Sequence, residues 1–496
     1  MKRYNLSIVS ILIFTMMYSC GTDNAENNND TAITETDSGE YNIESDLYSV
    51  LATQDFNGID INILGYSASQ AYNDADSFDA EQTGEIIDDA IYQRNIDTEE
   101  LLNVNLVYDI SLSEVDSRAR FLNGVYAQDQ SCDIFIHKAG PFGSIITTGT
   151  LLPTDETEGI NLDMPWYVEN ANENVRIGNR QYGIFSDACK TNITMCWTTV
   201  FNKRLVDEWK LENPYDLVNS GQWTMDKLIS ITKDVWKDLN GNNIQDEEDL
   251  YGFYTDKWAT LDAYFGAHRL QVLSKDNNDF LKLDFYSEKL VESFEKVYEL
   301  YWNNSGTYVD TSAPYEYRFD FADSRALFSP MIIDYMISND LRSMSDDYGI
   351  LPYPKLNEAQ SEYGTYLLTR TGMIMLPLDL ADDKLDKVGY VIEALSAYSY
   401  KYLRPAIYEQ SLTSKGVRDE QSLEMLDIIL ESRMYDFSCY TETGGNFPFA
   451  QSLTYRGLLG SKNSNITSYY EANLTKAENY IDDLVDLIKE NQNNLN

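Results

Sequence analysis

Asp238, Asn240, Asn242, Asp246 and Asp249 occupy the first, third, fifth, ninth and twelfth positions of the stretch DLNGNNIQDEED, with the Ile244 carbonyl at the seventh. Oxygen donors at that spacing are the ligand pattern of an EF-hand-type loop, because a hard divalent cation takes carboxylate, amide and carbonyl oxygens. Two positions depart from the pattern: Asn243 replaces the usual glycine and Asp249 the usual glutamate. Asparagine tolerates the left-handed turn, and the shorter Asp249 leaves open whether it or the adjacent Glu247 completes the set. The competing reading is a solvated turn. The expectation is a structural Ca2+ held by Asp238, Asn240, Asn242, Ile244, Asp246 and one of Glu247 and Asp249, remote from any catalysis.

Covalent and zinc chemistry have less to draw on. His137 and His268 are the two imidazoles of the chain, and its five cysteines form no CxxC. A nucleophile–imidazole arrangement therefore has two candidates, and a zinc site is not expected. With 81 acidic residues in the chain, a carboxylate pair chosen by eye carries no weight. The formal net charge of -44 argues against nucleic acid, whose binding depends on Lys and Arg neutralising phosphates. It equally disfavours an anionic membrane surface.

The N-terminus reads MKRYNLSIVSILIFTMMYSC, two cations followed by a short apolar run and a small residue before Cys20. That is the pattern of a secretory signal peptide, too short in its apolar part to span a bilayer. Met17 to Cys20 resembles a bacterial lipobox, which makes Cys20 the expected site of lipidation. The polar, acidic segment that follows cannot bury enough surface to fold and is expected to be a tether. The expected parts are a signal peptide at 1–19, the lipidated cysteine and tether at 20–54, and a globular remainder. Removing Cys20 leaves Cys132, Cys189, Cys196 and Cys439, an even number that permits disulfides; Cys189 and Cys196 suit a bridge if they flank a hairpin.

The elements that must position functional groups alternate. IDINILGY alternates like a strand, TGEIIDDAIYQRNIDTEELLNV has helical periodicity, and NLVYDISL returns to strand. VDSRARFLNGVYAQD is again helical, and SCDIFIHKAG is an apolar strand suited to a buried parallel sheet. In such β-α-β-α-β sheets, ligands lie beyond the carboxyl ends of the strands, which directs attention to Tyr66, His137 and Lys138. Further along, WTMDKLISITKDVWKD reads as a helix leading into the oxygen-rich loop. Trp209, Trp223, Trp236 and Trp302, among apolar neighbours, are expected in the core.

Several segments in order, CDIFIHKAGPFGSIITTGTLLPT, QYGIFSDA with MCWTTVFNKRLVDEW, NPYDLVNSGQWTMDKL, GILPYPKLNEAQSEYGTY and GMIMLP, resemble extracellular solute-binding proteins, family 1. The resemblance implies an α/β, two-lobed periplasmic-binding-protein fold of class II type, lobes joined by a multi-strand hinge. It implies a first lobe at 55–190, a second at 191–331 carrying the loop 238–249, and returning, mainly helical segments of both lobes at 332–496. Hinges are expected at Ile184–Asp187 and Ser329–Tyr335. The implied function is capture of a ligand, above all an oligosaccharide or another small polar solute, for delivery to an ABC-transporter permease. The implied protein is a monomer outside the cytoplasm, touching the membrane through its lipid anchor. A similar loop in alginate-oligosaccharide binding members of the family holds calcium. Sugars present polar edges and apolar faces, so aromatic platforms beside charged groups are expected. Trp258 and Asp187 fall at positions the resemblance gives to the cleft, and Asp334 and Tyr335 at its second crossing. The alternative is a secreted glycoside hydrolase, which needs two carboxylates across the scissile bond; no local motif fixes such a pair.

Overall fold

The computed structural model describes residues 51–67, 78–338, 341, 344–413, 420–441 and 447–495. Cys20, the signal sequence and most of the tether lie outside the described residues. The strands, in chain order, are β1 (Ile59–Leu64), β2 (Val104–Asp109), β3 (Ile134–Lys138), β4 (Leu151–Leu152), β5 (Trp197–Asn202), β6 (Trp236–Lys237) and β7 (Leu250–Asp256). They continue with β8 (Leu273–Lys275), β9 (Leu281–Leu283), β10 (Thr307–Asp310), β11 (Ala326–Ile332), β12 (Tyr348–Leu351), β13 (Thr365–Tyr366), β14 (Gly372–Pro377) and β15 (Arg433–Met434).

Two sheets carry the architecture. The first has the order β2-β1-β3-β14-β4, with β1 parallel to β2 and β3, and the late strand β14 returning antiparallel beside β3. Helices Ile86–Leu102 and Glu114–Ala127 make the crossovers between its parallel strands. The second of these starts where the Ser113 hydroxyl accepts the Asp116 N–H at 3.2 Å, satisfying one of the amides that a helix N-terminus leaves over. Alternation sorts the side chains: Ile61, Ile63, Ile134, Ile136, Ile374 and Leu376 pack with Val388, Val391, Ile392 and Leu395 of helix Leu385–Tyr398. Leu64, Phe135, Met373 and Met375 join the larger core that continues into the second sheet. That follows from the two-residue side-chain period of a strand.

The second sheet has the order β10-β7-β11-β5-β12, with β6 added on β7. Strands β10, β7 and β11 are parallel, and β5 runs antiparallel to β11 and β12. Every residue of β5, β7 and β11 is buried, as expected of strands covered on both faces.

The chain leaves the first sheet after β4 and enters the second at β5, passing through bridges Tyr167 to Ser186 and Ile184 to Ile374. Ile184–Asp187 therefore lies in a crossing. Ser329–Tyr335 does not: Ser329 and Ile332 belong to β11, helix Ile333–Ile337 turns the chain, and β12 rejoins the same sheet. The return to the first sheet runs between Leu351 and Gly372.

The helix read in WTMDKLISITKDVWKD is shorter than its pattern, spanning Met225–Thr232. The Thr232 hydroxyl bonds back to the Leu228 carbonyl at 2.7 Å, Asp234 takes φ +61°, and Trp236 enters β6 against Tyr251. A Cβ on Gly306 would run into the Thr232 carbonyl, so the close approach of that loop requires glycine. Trp166, Trp197 and Trp223 are buried, as is typical of core tryptophans, whereas Trp209 is exposed just past the end of a short helix. Cys132, Cys189, Cys196 and Cys439 are buried, and among the described residues no disulfide joins them.

Candidate ligand cleft

The carboxyl ends of β1 and β3, with the antiparallel start of β14 beside them, form one edge; the carboxyl ends of β7, β10 and β11 form another. The first edge brings Tyr66, His137 and Lys138 together. The Tyr66 and His137 ring centroids are 5.3 Å apart, and the Lys138 ammonium lies 5.6 Å above the Tyr66 ring and 2.7 Å from a Glu114 carboxylate oxygen. His137 is buried, its ring nitrogens 3.2 Å and 3.1 Å from the carbonyl oxygens of Lys138 and Glu114. Burial lowers its pKa while the two carbonyl oxygens oppose that shift, and the enclosed ring serves the fold rather than a ligand. Lys138, partly buried, keeps its ammonium between the Glu114 carboxylate and the Tyr66 ring.

At the second edge Asp256 ends β7 fully buried. It accepts the Trp258 N–H at 2.9 Å, the Thr260 hydroxyl at 2.9 Å and the Tyr315 N–H at 2.8 Å, tying the loop after β7 to the loop after β10. Burial pushes its carboxyl up to about 6. Trp258 is half-buried with the Lys257 ammonium 5.4 Å from its ring centroid. Asp334 and Tyr335 follow β11 and are also half-buried. The Tyr335 ring lies 6.1 Å from Tyr315, and the Arg318 guanidinium sits 5.1 Å from Tyr335 and 4.2 Å from Phe319. Trp258, Asp334 and Tyr335 thus share one strand-end edge.

Asp187 is turned inward. It has no exposed surface, lies 2.9 Å from Arg433 Nη1 and 3.9 Å from Arg404 Nη1, and so anchors a buried ion cluster in the crossing. Its expected ligand-facing role is replaced by a structural one, because a buried carboxylate must be paired. Arg370 is a residue that sequence reasoning missed. Thr369 and Thr371 on either side of it accept the Gly140 and Ala139 N–H groups at 2.9 Å and 2.8 Å, which fixes Arg370 at the first edge. Burial raises the pKa of Tyr315 and Tyr335 at the second edge, and the Arg370 charge opposes that rise at both. The Arg370 charge is thus felt at the second edge, while its backbone belongs to the first. The one signal in LLTRTGMIMLP was a lone cation at the head of an apolar strand.

The oxygen-rich loop closes a β6–β7 hairpin, so its context is strand-loop-strand. Asp238 accepts the Gly241 and Asn243 N–H groups at 2.6 Å and 2.8 Å, and Asn243 takes φ +58°, the left-handed turn expected of it. The Asn240 and Asn242 amides donate to Asp246 at 3.1 Å and 2.6 Å, and Asn240 also donates to Glu248 at 3.2 Å. Ile244 is exposed. Asp249 is buried and occupied, accepting Trp236 Nε1 at 2.9 Å and the Leu239 N–H at 3.0 Å. The Glu247 carboxylate faces Tyr308 at 3.5 Å. Neither of the two residues left open by the spacing joins the Asp246 group; Glu248 does. Among the described residues, no three His, Cys, Asp or Glu side chains form a metal-holding group.

The architecture is a two-lobed periplasmic-binding-protein fold, as similarity to solved structures bears out. A cyclo/maltodextrin-binding protein complexed with maltotetraose matches at 12% identity and TM-score 0.51, over 87% of this chain and 96% of that one. An ABC substrate-binding protein from Listeria monocytogenes in complex with cycloalternan matches at 11% identity and TM-score 0.50, over 86% and 98%. A sugar transporter from Rhizobium etli in an open conformation matches at 11% identity and TM-score 0.51, over 87% and 98%. No protein-family model and no curated protein matches the chain.

Proposed function

We propose that this protein is an exported solute-binding protein that captures an oligosaccharide between its lobes and hands it to an ABC-transporter permease. The observation that carries the reading is that two strand-end edges each gather aromatic and cationic groups, Tyr66 with Lys138 on one and Trp258 with Lys257, Tyr315 and Tyr335 on the other, in a fold shared with sugar-binding proteins. Flat rings match sugar C–H faces and charged groups match hydroxyl edges. The hydrolase reading has less support. Asp256 is committed to three donors and Asp262 is buried against Arg456, whereas glycoside hydrolysis needs two carboxylates on the scissile bond. Capture of an oligosaccharide without change in its mass is the test.

The reading extends to the ends of the molecule. A Cys20 lipid would hold the protein at the outer face of the cell membrane; no described helix is long and apolar enough to cross one. Detergent-phase partitioning of the exported protein, lost in Cys20→Ser, tests this anchor; equal release of both forms would contradict it.

Calcium belongs to the same proposal. Asp238, Asn240, Asn242 and Asp246, with Glu248, supply oxygen donors of the kind a hard cation takes, and Asp249 serves the hairpin instead. The bound ion would neutralise carboxylates that otherwise repel. Added calcium is expected to raise the melting temperature of chelated protein, magnesium to do so poorly because it demands a tighter octahedron, and Asp238→Ala to abolish the calcium response. Melting that is the same with chelator and with calcium would leave the loop a hydrogen-bonded turn.

A further inference from the structure

We infer that the flank of the second sheet holds an additional saccharide subsite, built around Trp302 and Lys462, which takes a sugar unit of an oligosaccharide longer than the cleft alone accommodates. The inference rests on the capture reading and extends it to the length of the ligand.

An open cavity of about 480 Å³ lies beside β10, the outer strand of the second sheet. That volume falls within the range of roughly 300 to 1,000 Å³ typical of small-molecule sites. Thr307 and Val309 of β10, with Thr311 just after it, line the cavity from one face of the strand, as a two-residue period requires. Its other walls are two π-helical turns, Glu299–Asn303 and Ser452–Leu459, the second reaching the cavity through Lys462. Turns of this kind are rare and recur at functional sites.

Trp302, expected in the core, is instead half-buried at this cavity. Its Nε1 donates to the Leu459 carbonyl at 2.8 Å, and the exposed Lys462 ammonium lies 4.4 Å from its ring centroid. The bond to Leu459 fixes the ring before a ligand arrives, which lowers the ordering cost of a contact. A flat ring beside a cationic donor is the combination that meets the apolar face and the hydroxyl edge of a sugar.

The remaining lining favours hydroxyl groups as partners. No acidic residue lines the cavity, in a chain with 81 of them; its polar side chains are amides and hydroxyls, among them Gln245 and Asn303. The carboxylates just behind it are engaged, Glu299 by the Asn303 amide at 2.9 Å and Asp234 by the Ser305 hydroxyl at 2.5 Å. The Thr307 hydroxyl is enclosed at the wall with no hydrogen-bond partner among the described residues, whereas such groups are paired as a rule. A sugar hydroxyl reaching that wall would supply the partner.

The cavity adjoins the second edge of the cleft at two points. Thr311 follows Asp310, the carboxyl end of β10. A Cβ on Gly460 would come 2.8 Å from the Lys257 carbonyl oxygen, so the turn between Leu459 and Lys462 packs directly against the loop that carries Trp258. A chain held at that edge can therefore continue onto the flank. A second contact made by the same ligand acts at high effective concentration, so even a weak subsite raises the affinity of a long chain.

Calorimetric titration of the full exported protein with malto-, cello- and xylo-oligosaccharides, each from the disaccharide to the octasaccharide, tests the inference. In the series that binds, affinity is expected to level off once the cleft is filled and then to rise a second time, by about tenfold or more, when the chain reaches the cavity. Trp302→Ala is expected to remove the second rise and leave the affinity of the shorter members unchanged. Lys462→Ala, at an exposed position that threatens folding less, is expected to reduce the same rise several-fold. A single plateau, a second rise untouched by either substitution, or equal weakening of every length by Trp302→Ala overturns the inference and leaves the capture reading standing. Failure of every series to bind overturns both.

Discussion

Replacing Arg433 by methionine is expected to lower the free energy of unfolding by about 3 to 5 kcal/mol, the usual cost of removing one partner from a buried ion pair. Arg433 Nη1 lies 2.9 Å from Asp187 and 2.9 Å from the Asn192 carbonyl, and its Nε donates to the Leu430 carbonyl at 2.7 Å. One side chain thus joins the crossing between sheets, β15 and the helix Glu420–Glu431. Its removal leaves the Asp187 carboxylate buried with Arg404 at 3.9 Å as its remaining ionic contact. Urea unfolding followed by tryptophan fluorescence measures the loss. The double variant Arg433→Met with Asp187→Asn is expected to recover part of it, because no uncompensated charge then stays inside. A loss below about 1 kcal/mol, the value of an exposed pair, would mean that water reaches the cluster.

Trp258→Ala is expected to weaken oligosaccharide binding by about 1 to 3 kcal/mol, a typical range for truncating a buried aromatic contact. Trp258 lies just after β7, its backbone N–H donating to Asp256 and its ring face beneath Lys257. Its backbone is set before a ligand arrives, which lowers the ordering cost of the contact. Truncation removes the platform and frees the Lys257 ammonium together. Calorimetry with whichever sugar binds reads the change, and an unaltered dissociation constant would place Trp258 outside the site.

The parts of this account that were legible in the sequence are those encoded locally. β1, β2 and β3 with their two helices follow from alternation and helical periodicity, and the strand-end rule then located Tyr66, His137 and Lys138 at one edge. It also grouped residues with different fates: His137 and Lys138 are neighbours in sequence, yet burial makes one a structural imidazole while the other sets its ammonium against Glu114 and the Tyr66 ring. Asp187 was illegible for a different reason. An acidic residue ending a strand looks the same whether it faces a ligand or an arginine 246 residues away. Arg370 carried no pattern at all, because its place depends on β14 returning beside β3. The length of the helix ending at Thr232 was overread, since Val235 and Trp236 keep the apolar spacing while a left-handed Asp234 and the pairing with β7 take the backbone elsewhere. In the loop 238–249 the spacing found Asp238, Asn240, Asn242 and Asp246, but the buried Trp236 contact that occupies Asp249 is tertiary.

The central claim is capture without chemistry. The most direct measurement is to incubate the purified protein with a mixture of neutral and acidic oligosaccharides, separate the protein with whatever it holds, and compare bound and unbound sugars by mass spectrometry. The account predicts retention of an oligosaccharide in a one-to-one complex, released at unchanged mass after denaturation, with no shorter products in the unbound pool. Accumulation of shorter saccharides with time would contradict it and return the carboxylates of the cleft to a catalytic reading.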